Sequence, residues 1–290
     1  MKKRLLLLAA CLQLSFSAGA AAQTATPISF GETIPLSSEA YAQPHDINVW
    51  LPPSYSDGDK EYNVLYVMDG GVDQDYPHIA GLGQLASISG QYEEFIVVGV
   101  RTNARQTELT TPPQNRRYRK LAKDPGGAET FRTFIAEDVI PMIEARYRAG
   151  GRKAVIGESL AGFFVMDTFL NHPDVFDDYI SVSPSLWWDD RRLAEAADEA
   201  LATHDFTGKR LYVTMADEGG TMQAGLDTIL ADLAAAELDG LTYTYVDRRE
   251  TEHHSTIYHP AALDALRWLY GVEHEPYTGA RWWIDLPEED

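Results

Sequence analysis

The sequence predicts an α/β protein built on one mostly parallel sheet with helices on both faces, and three observations lead there. Short apolar runs of strand length recur along the chain, at Asn63 to Met68, Phe95 to Val100, Ala154 to Ile156, Tyr179 to Ser183, Arg210 to Met215 and Leu241 to Val246. Runs of this kind suit strands buried on both faces. Between them lie longer stretches with helical spacing of apolar residues: His78 to Ser89, Ala128 to Tyr147, Leu160 to Leu170, Arg191 to Leu201, and a helix that follows Gly219 and Gly220 and ends at Leu238. Strands alternating with helices of this length give a parallel sheet covered on both sides. A chain of 290 residues without repeats is also long enough to bury an ample single core.

At the amino terminus, Met1, Lys2, Lys3 and Arg4 precede an apolar run from Leu5 to Leu14 and small residues through Ala18, Ala20 and Ala22. This is the make-up of a secretory signal peptide, too short for a membrane span, with cleavage expected near Ala22. Residues 1–22 are read as addressing and 23–290 as a single domain with a short acidic tail that holds Trp282 and Trp283. A periplasmic or secreted protein is expected. Leu8, Ala9, Ala10 and Cys11 resemble a lipoprotein box, but the apolar run before Cys11 is short for one. Cys11 is the only cysteine, so cleavage beyond it leaves no thiol for catalysis or for a disulfide. The formal net charge of −20 makes nucleic acid and anionic membranes poor partners. It also describes an ordinary soluble surface. Oligomeric state is left open.

Past a Thr/Pro-rich lead-in, Asp46 to Leu51 alternates Ile47, Val49 and Leu51, as a half-exposed strand ended by Pro52 and Pro53 does. The run Asn63 to Met68 leads into Asp69, Gly70 and Gly71, where backbone N–H groups on flexible residues either serve an oxyanion or simply turn the chain into a helix. After Phe95 to Val100 comes a segment unlike the rest: Arg101, Arg105, Arg116, Arg117, Arg119, Lys120 and Lys123 stand there against one acid, Glu108. Basic residues past a strand's carboxyl end lie where open α/β sheets bind ligands, so Arg105 and Arg116 are candidates for holding an anionic substrate. The bland alternative is a solvated loop balancing acidic neighbours. Pro141 is expected to kink or divide the helix Ala128 to Tyr147. Tyr179 to Ser183 leads into S-P-S-L-W-W-D, where Trp187 and Trp188 either wall a pocket or serve as core and rim.

The chemistry gathers around Lys153 to Gly162, K-A-V-I-G-E-S-L-A-G. The apolar run Ala154 to Ile156 switches to a helical pattern at Leu160, and Ser159 sits at the join. A serine on a sharp strand-to-helix turn exposes its hydroxyl, while glycines at 157 and 162 let backbone pass closely. Ala161 takes the fifth place of G-x-S-x-G. A serine hydroxyl needs a base and a group to orient that base. Asp217 and Glu218 follow one strand and His253 and His254 the next, in the chain order serine, acid, histidine. The histidine spacing suits no metal site, and no metal or other cofactor is implied.

Asp69-Gly-Gly, R-Q-T-E-L-T at Arg105, G-E-S-L-A-G at Gly157, S-P-S-L-W-W-D at Ser183 and E-H-H-S-T at Glu252 occur together. In that order they resemble the putative-esterase (esterase D-like) family of α/β-hydrolases, a group that includes periplasmic trilactone siderophore esterases. The likeness runs from about Ile47 to Tyr270. It implies an α/β-hydrolase fold, carboxylic-ester hydrolysis and no metal. On this resemblance Ser159 matches the nucleophile and His253 the base, with His254 in a place usually held by glycine. Glu218 fits the acid best, with Asp217 as the alternative. Leu160 N–H and either Gly70 or Gly71 would form the oxyanion hole. The expected substrate is a small-molecule ester, bulky and anionic or aromatic, such as a catecholate siderophore. A feruloyl or acetyl carbohydrate ester, acyl transfer, and a non-catalytic binding role are the alternatives.

Overall fold

A computed structural model describes residues 25–273. The proposed signal peptide, Cys11, Trp282 and Trp283 lie outside the described residues. Residues 25–30 carry no regular secondary structure, and residues 31–273 pack as one compact unit. That unit is an α/β-hydrolase fold. Its sheet has eight strands: β1 (Glu32–Leu36), β2 (His45–Trp50), β3 (Asn63–Met68), β4 (Phe95–Val100), β5 (Lys153–Glu158), β6 (Asp178–Val182), β7 (Arg210–Met215) and β8 (Thr242–Asp247). They lie in the order β1-β2-β4-β3-β5-β6-β7-β8. β1 and β2 run antiparallel to their neighbours, and β3 through β8 are parallel.

The helices are α1 (Tyr76–Ser89), α2 (Arg105–Glu108), α3 (Tyr118–Leu121), α4 (Ala128–Phe134), α5 (Ile140–Arg146), α6 (Leu160–Asn171), α7 (Arg192–Glu195), α8 (Ala197–Thr203), α9 (Gly220–Ala236) and α10 (Tyr258–Tyr270). The two-residue period of β3 sorts them into layers. Val64, Tyr66 and Met68 face a core shared with α4, α5, α6, α8 and α9, whereas Leu65 and Val67 face one shared with α1 and α10. A strand with both faces covered has no polar face to show. That is why the runs read as continuously apolar.

Some expectations shift. β2 is buried along nearly its whole length rather than half-exposed, because its polar side chains are spent on neighbours. Asn48 Nδ2 donates to the Gly70 carbonyl at 2.8 Å and Asn48 Oδ1 accepts from Thr33 Oγ1 at 2.6 Å. His45 Nε2 meets Glu108 Oε1 at 3.1 Å. Two elements go beyond the sequence reading: strand β1, inside the Thr/Pro-rich lead-in, and helix α10, whose Ala261, Ala262, Ala265, Leu266 and Leu269 do stand at helical spacing and form its buried face. Pro141 has the expected effect: a π-helical turn over Ile135–Val139 joins α4 to α5, as befits a chain whose next turn lacks an N–H donor. At the opposite end of the sheet, buried Asp178 accepts from Arg152 and Arg210 at 2.6 Å each, tying the start of β6 to β5 and β7.

Candidate active site

The site is built where β3, β5, β7 and the loop after β8 end on the same edge of the sheet. β5 delivers Ser159 on the elbow expected of it. Its backbone is left-handed, φ 62° and ψ −118°, a conformation that costs a non-glycine residue on the order of 1–3 kcal/mol. The turn stays tight because Gly157 has no side chain: a Cβ there would lie 2.5 Å from the carbonyl carbon of Ala161. The Ser159 carbonyl starts α6 by accepting from Phe163 N–H at 2.8 Å. Leu160 thus occupies the first turn, where N–H groups have no acceptor within the helix.

His254 Nε2 stands 3.0 Å from Ser159 Oγ, and His254 Nδ1 stands 2.5 Å from Glu218 Oε1. These three side chains form one continuous line. The expected base, His253, is not in it. His253 is exposed, its N–H donates to Thr256 Oγ1 at 3.0 Å, and its carbonyl accepts from Thr256 and Ile257 N–H, so it shapes the turn into α10. The side chain that this turn sends toward Ser159 is the next one, His254, in the place expected to hold glycine. Of the two acids, Glu218 is the one brought to the histidine. Asp217 is exposed and donates its N–H to the Glu252 carbonyl at 3.0 Å, which locks the loop after β7 to the loop bearing His254.

The D-G-G turn divides the two candidate oxyanion donors. Gly70 N–H is spent on the Val100 carbonyl at 2.9 Å, and a Cβ on Gly70 would lie 2.3 Å from Val100 N, so this glycine exists to let β4 cross closely. Gly71 N–H donates to the side-chain oxygen of Gln74 at 2.9 Å, a partner that can be exchanged. Asp69 does more than turn the chain. Its buried carboxylate accepts from Thr102 Oγ1 at 2.5 Å and from Arg105 Nε at 2.6 Å. Burial pushes its ionisation up, against the pull of Arg105 and of those hydrogen bonds. Arg105 is thereby held at the site, with its terminal nitrogens making no hydrogen bond among the described residues.

The remaining basic charge is less free than the sequence suggests. Arg101 pairs with Asp73 and Arg117 with Asp190. Arg116 is exposed, and the arginine beside the tryptophan is Arg117 instead. The tryptophans also separate. Trp188 is 2% exposed and its indole N–H donates to the Thr111 carbonyl at 3.1 Å, which makes it core. Trp187 lines an open cleft of about 660 Å³ with Arg117, Tyr118, Leu121, Asp190, Arg191 and others. Its ring stacks against Tyr118 at 6.1 Å, and the Arg117 guanidinium lies over the Tyr118 ring, 4.7 Å from its centre. The cleft wall is a strained turn: Asp189, Asp190 and Arg191 all have positive φ. Buried Asp189 fixes it by accepting from the N–H groups of Gln114 and Asn115 at 2.9 Å each and from Arg192 Nε at 2.8 Å. Ser185 and Glu158, not singled out from the sequence, also border the serine. Ser185 Oγ is 3.4 Å from Ser159 Oγ, and Ser185 N–H holds the Ser159 carbonyl at 3.0 Å.

A sheet of this order with serine, histidine and glutamate aligned at its carboxyl edge defines a hydrolase of the α/β-hydrolase class. The chain belongs to the family described as Putative esterase, whose pattern it matches over residues 38–265. Among curated relatives, it is 40% identical over 75 residues to a siderophore enterobactin esterase of Emericella nidulans, covering 25% of each chain. It is 37% identical over 98 residues to the ferri-bacillibactin esterase BesA of Bacillus subtilis, covering 33% of this chain and 32% of that one. These matches span only about a quarter to a third of the relatives' length. An IroE-like serine hydrolase of Shewanella oneidensis superposes with a TM-score of 0.73 at 25% identity, covering 83% of this chain and 80% of the other.

Proposed function

We propose that this chain is a serine carboxylic-ester hydrolase that works through an acyl-enzyme. The observation that carries the reading is the line from Glu218 through His254 to Ser159, with spacings of 2.5 and 3.0 Å. Ser159 Oγ attacks the ester carbonyl carbon as His254 Nε2 takes its proton, and Glu218 holds the Nδ1–H of the imidazolium that results. The oxyanion falls to Leu160 N–H and to Gly71 N–H, released by the Gln74 side chain as the substrate oxygen arrives. Collapse breaks the bond to the alcohol, which leaves with the proton from Nε2. Water then repeats the cycle on the acyl-enzyme and frees the acid.

We infer further that the ester is bulky and aromatic with anionic character, of the catecholate siderophore type. Trp187, half-buried on the cleft wall, offers a ring face to an aromatic group, the terminal nitrogens of Arg105 supply positive charge, and the cleft volume suits a large substrate. The names of the curated relatives point the same way. The make-up of residues 1–22 supports action in the periplasm or outside the cell.

The test is hydrolysis of 4-nitrophenyl butyrate and of a ferric catecholate trilactone by the wild type and by Ser159→Ala. Loss of both activities in the variant is expected. Undiminished turnover in the variant overturns the serine mechanism, and turnover of the butyrate with none of the trilactone overturns the siderophore assignment.

A further inference from the structure

Glu158, the residue before the serine, is a carboxyl group that the proposed mechanism leaves unused. It ends β5, and its side chain is only 20% exposed. Its Oε1 lies 3.8 Å from His254 Nε2, the nitrogen that faces Ser159. His254 therefore sits between two carboxyl groups, Glu218 bonded to Nδ1 and Glu158 beside Nε2. A serine elbow does not require an acid at this position. Its place is set by the strand's last residue pointing into the site.

We propose that Glu158 is a positioning residue for His254, a second carboxylate that holds the imidazolium on the Ser159 side once the serine proton has been transferred. The inference rests on the serine esterase reading above. Charged and titratable groups face Glu158 from each neighbouring element: Asp75 before α1, Arg105 in α2, Glu218 after β7, His254 itself, and Tyr258 of α10. The Tyr258 hydroxyl is buried and has no hydrogen-bond partner among the described residues. Burial raises Glu158 to about 7, opposed by His254 and Arg105 and reinforced by Asp75 and Glu218. The group thus changes charge near neutrality. Below that range it is neutral and does nothing for an imidazolium, and above it its charge stabilises one. Proton transfer from Ser159 should therefore speed up as Glu158 ionises.

The experiment reads this without knowing the natural ester. Diisopropyl fluorophosphate is attacked by Ser159 Oγ: an O–P bond forms, the P–F bond breaks, fluoride leaves and the serine proton passes to His254. The inactivation rate, followed by the mass added to the intact protein, is measured from pH 5 to 9 for the wild type, Glu158→Gln and Glu158→Asp. The wild type is expected to show an upper step near neutrality. Glu158→Gln should lose that step and run roughly tenfold slower at alkaline pH while matching the wild type in acid, as loss of one partly solvated charge at this distance implies. Glu158→Asp should keep a step. Circular dichroism shows whether each variant is folded. Wild-type and Glu158→Gln profiles of the same shape, or a uniform slowing at every pH, overturn the role of Glu158 and leave the esterase reading intact. Absence of any adduct on Ser159 in the wild type overturns the esterase reading, and this inference with it.

Discussion

His254 Nε2 lies 3.0 Å from Ser159 Oγ although the two residues are 95 positions apart. His253, one residue earlier, is turned to the surface with its backbone committed to Thr256. The contrast yields a direct expectation. His254→Ala and Ser159→Ala should each lower kcat on a short nitrophenyl ester by roughly 10⁴-fold or more, because members of such a line act as a unit. His253→Ala should stay within about twofold, as expected of an exposed side chain outside the Glu218–His254–Ser159 line. Steady-state kinetics on the three variants checks the assignment.

The two acids after β7 should separate in the same way. Glu218→Gln removes the charge that orients and stabilises the imidazolium and should cost on the order of 10² to 10⁴ in kcat with little change in KM. Asp217→Asn keeps the backbone hydrogen bond to Glu252 and should leave kcat nearly unchanged. An equal loss in both would shift the orienting role away from Glu218.

The Trp187 cleft should matter for binding rather than for the chemical step. Asp189→Ala frees the left-handed turn at 189–191 from Gln114, Asn115 and Arg192, so the cleft wall loosens. KM for a bulky aromatic ester should rise about tenfold while that for an acetyl ester changes little, since positioning contacts act on the substrate part they touch. A matched rise for both esters would mean the cleft does not bind the substrate.

Stability should depend on pH through Glu158. Its ionisation is raised from 4.5 to about 7 in the folded chain, chiefly by burial. A raised carboxyl group contributes stability that is fully present below its unfolded value and is lost as pH rises through the folded one. The wild type should therefore lose on the order of 3 kcal/mol from this group between about pH 4.5 and 7. Glu158→Gln should be more stable than the wild type at pH 8 and no more stable at pH 4, measured by urea unfolding.

Asp178 offers a test far from the chemistry. It is fully buried between Arg152 and Arg210, and Asp178→Ala leaves both guanidinium groups without their carboxylate. A loss of about 1–3 kcal/mol is expected in denaturant unfolding, since both guanidinium groups are partly exposed and keep the Gly208 and Leu269 carbonyls as partners.

By itself the sequence determined the layered α/β architecture, the serine at the strand-to-helix turn, and the loops that bring an acid and a histidine after the following strands. These features are local. Apolar runs record burial on both faces, and a glycine at 157 records a tight crossing, so each is written in a few adjacent residues. Tertiary structure alone decided between neighbours: His254 over His253, Glu218 over Asp217, Gly71 over Gly70 as a donor with an exchangeable partner, Trp187 over Trp188 at the cleft, Arg117 over Arg116 beside it. Successive residues in a turn carry the same composition signal but point in different directions, and direction is set by which partner each one finds, mostly distant in the chain. Val100 claims the Gly70 N–H, Thr256 shapes the turn at His253, Thr111 takes the Trp188 indole, and Glu252 holds the Asp217 backbone. Glu158 was hidden for the same reason, because nothing in G-E-S-L-A-G tells that its carboxyl group lies beside a histidine almost a hundred residues away.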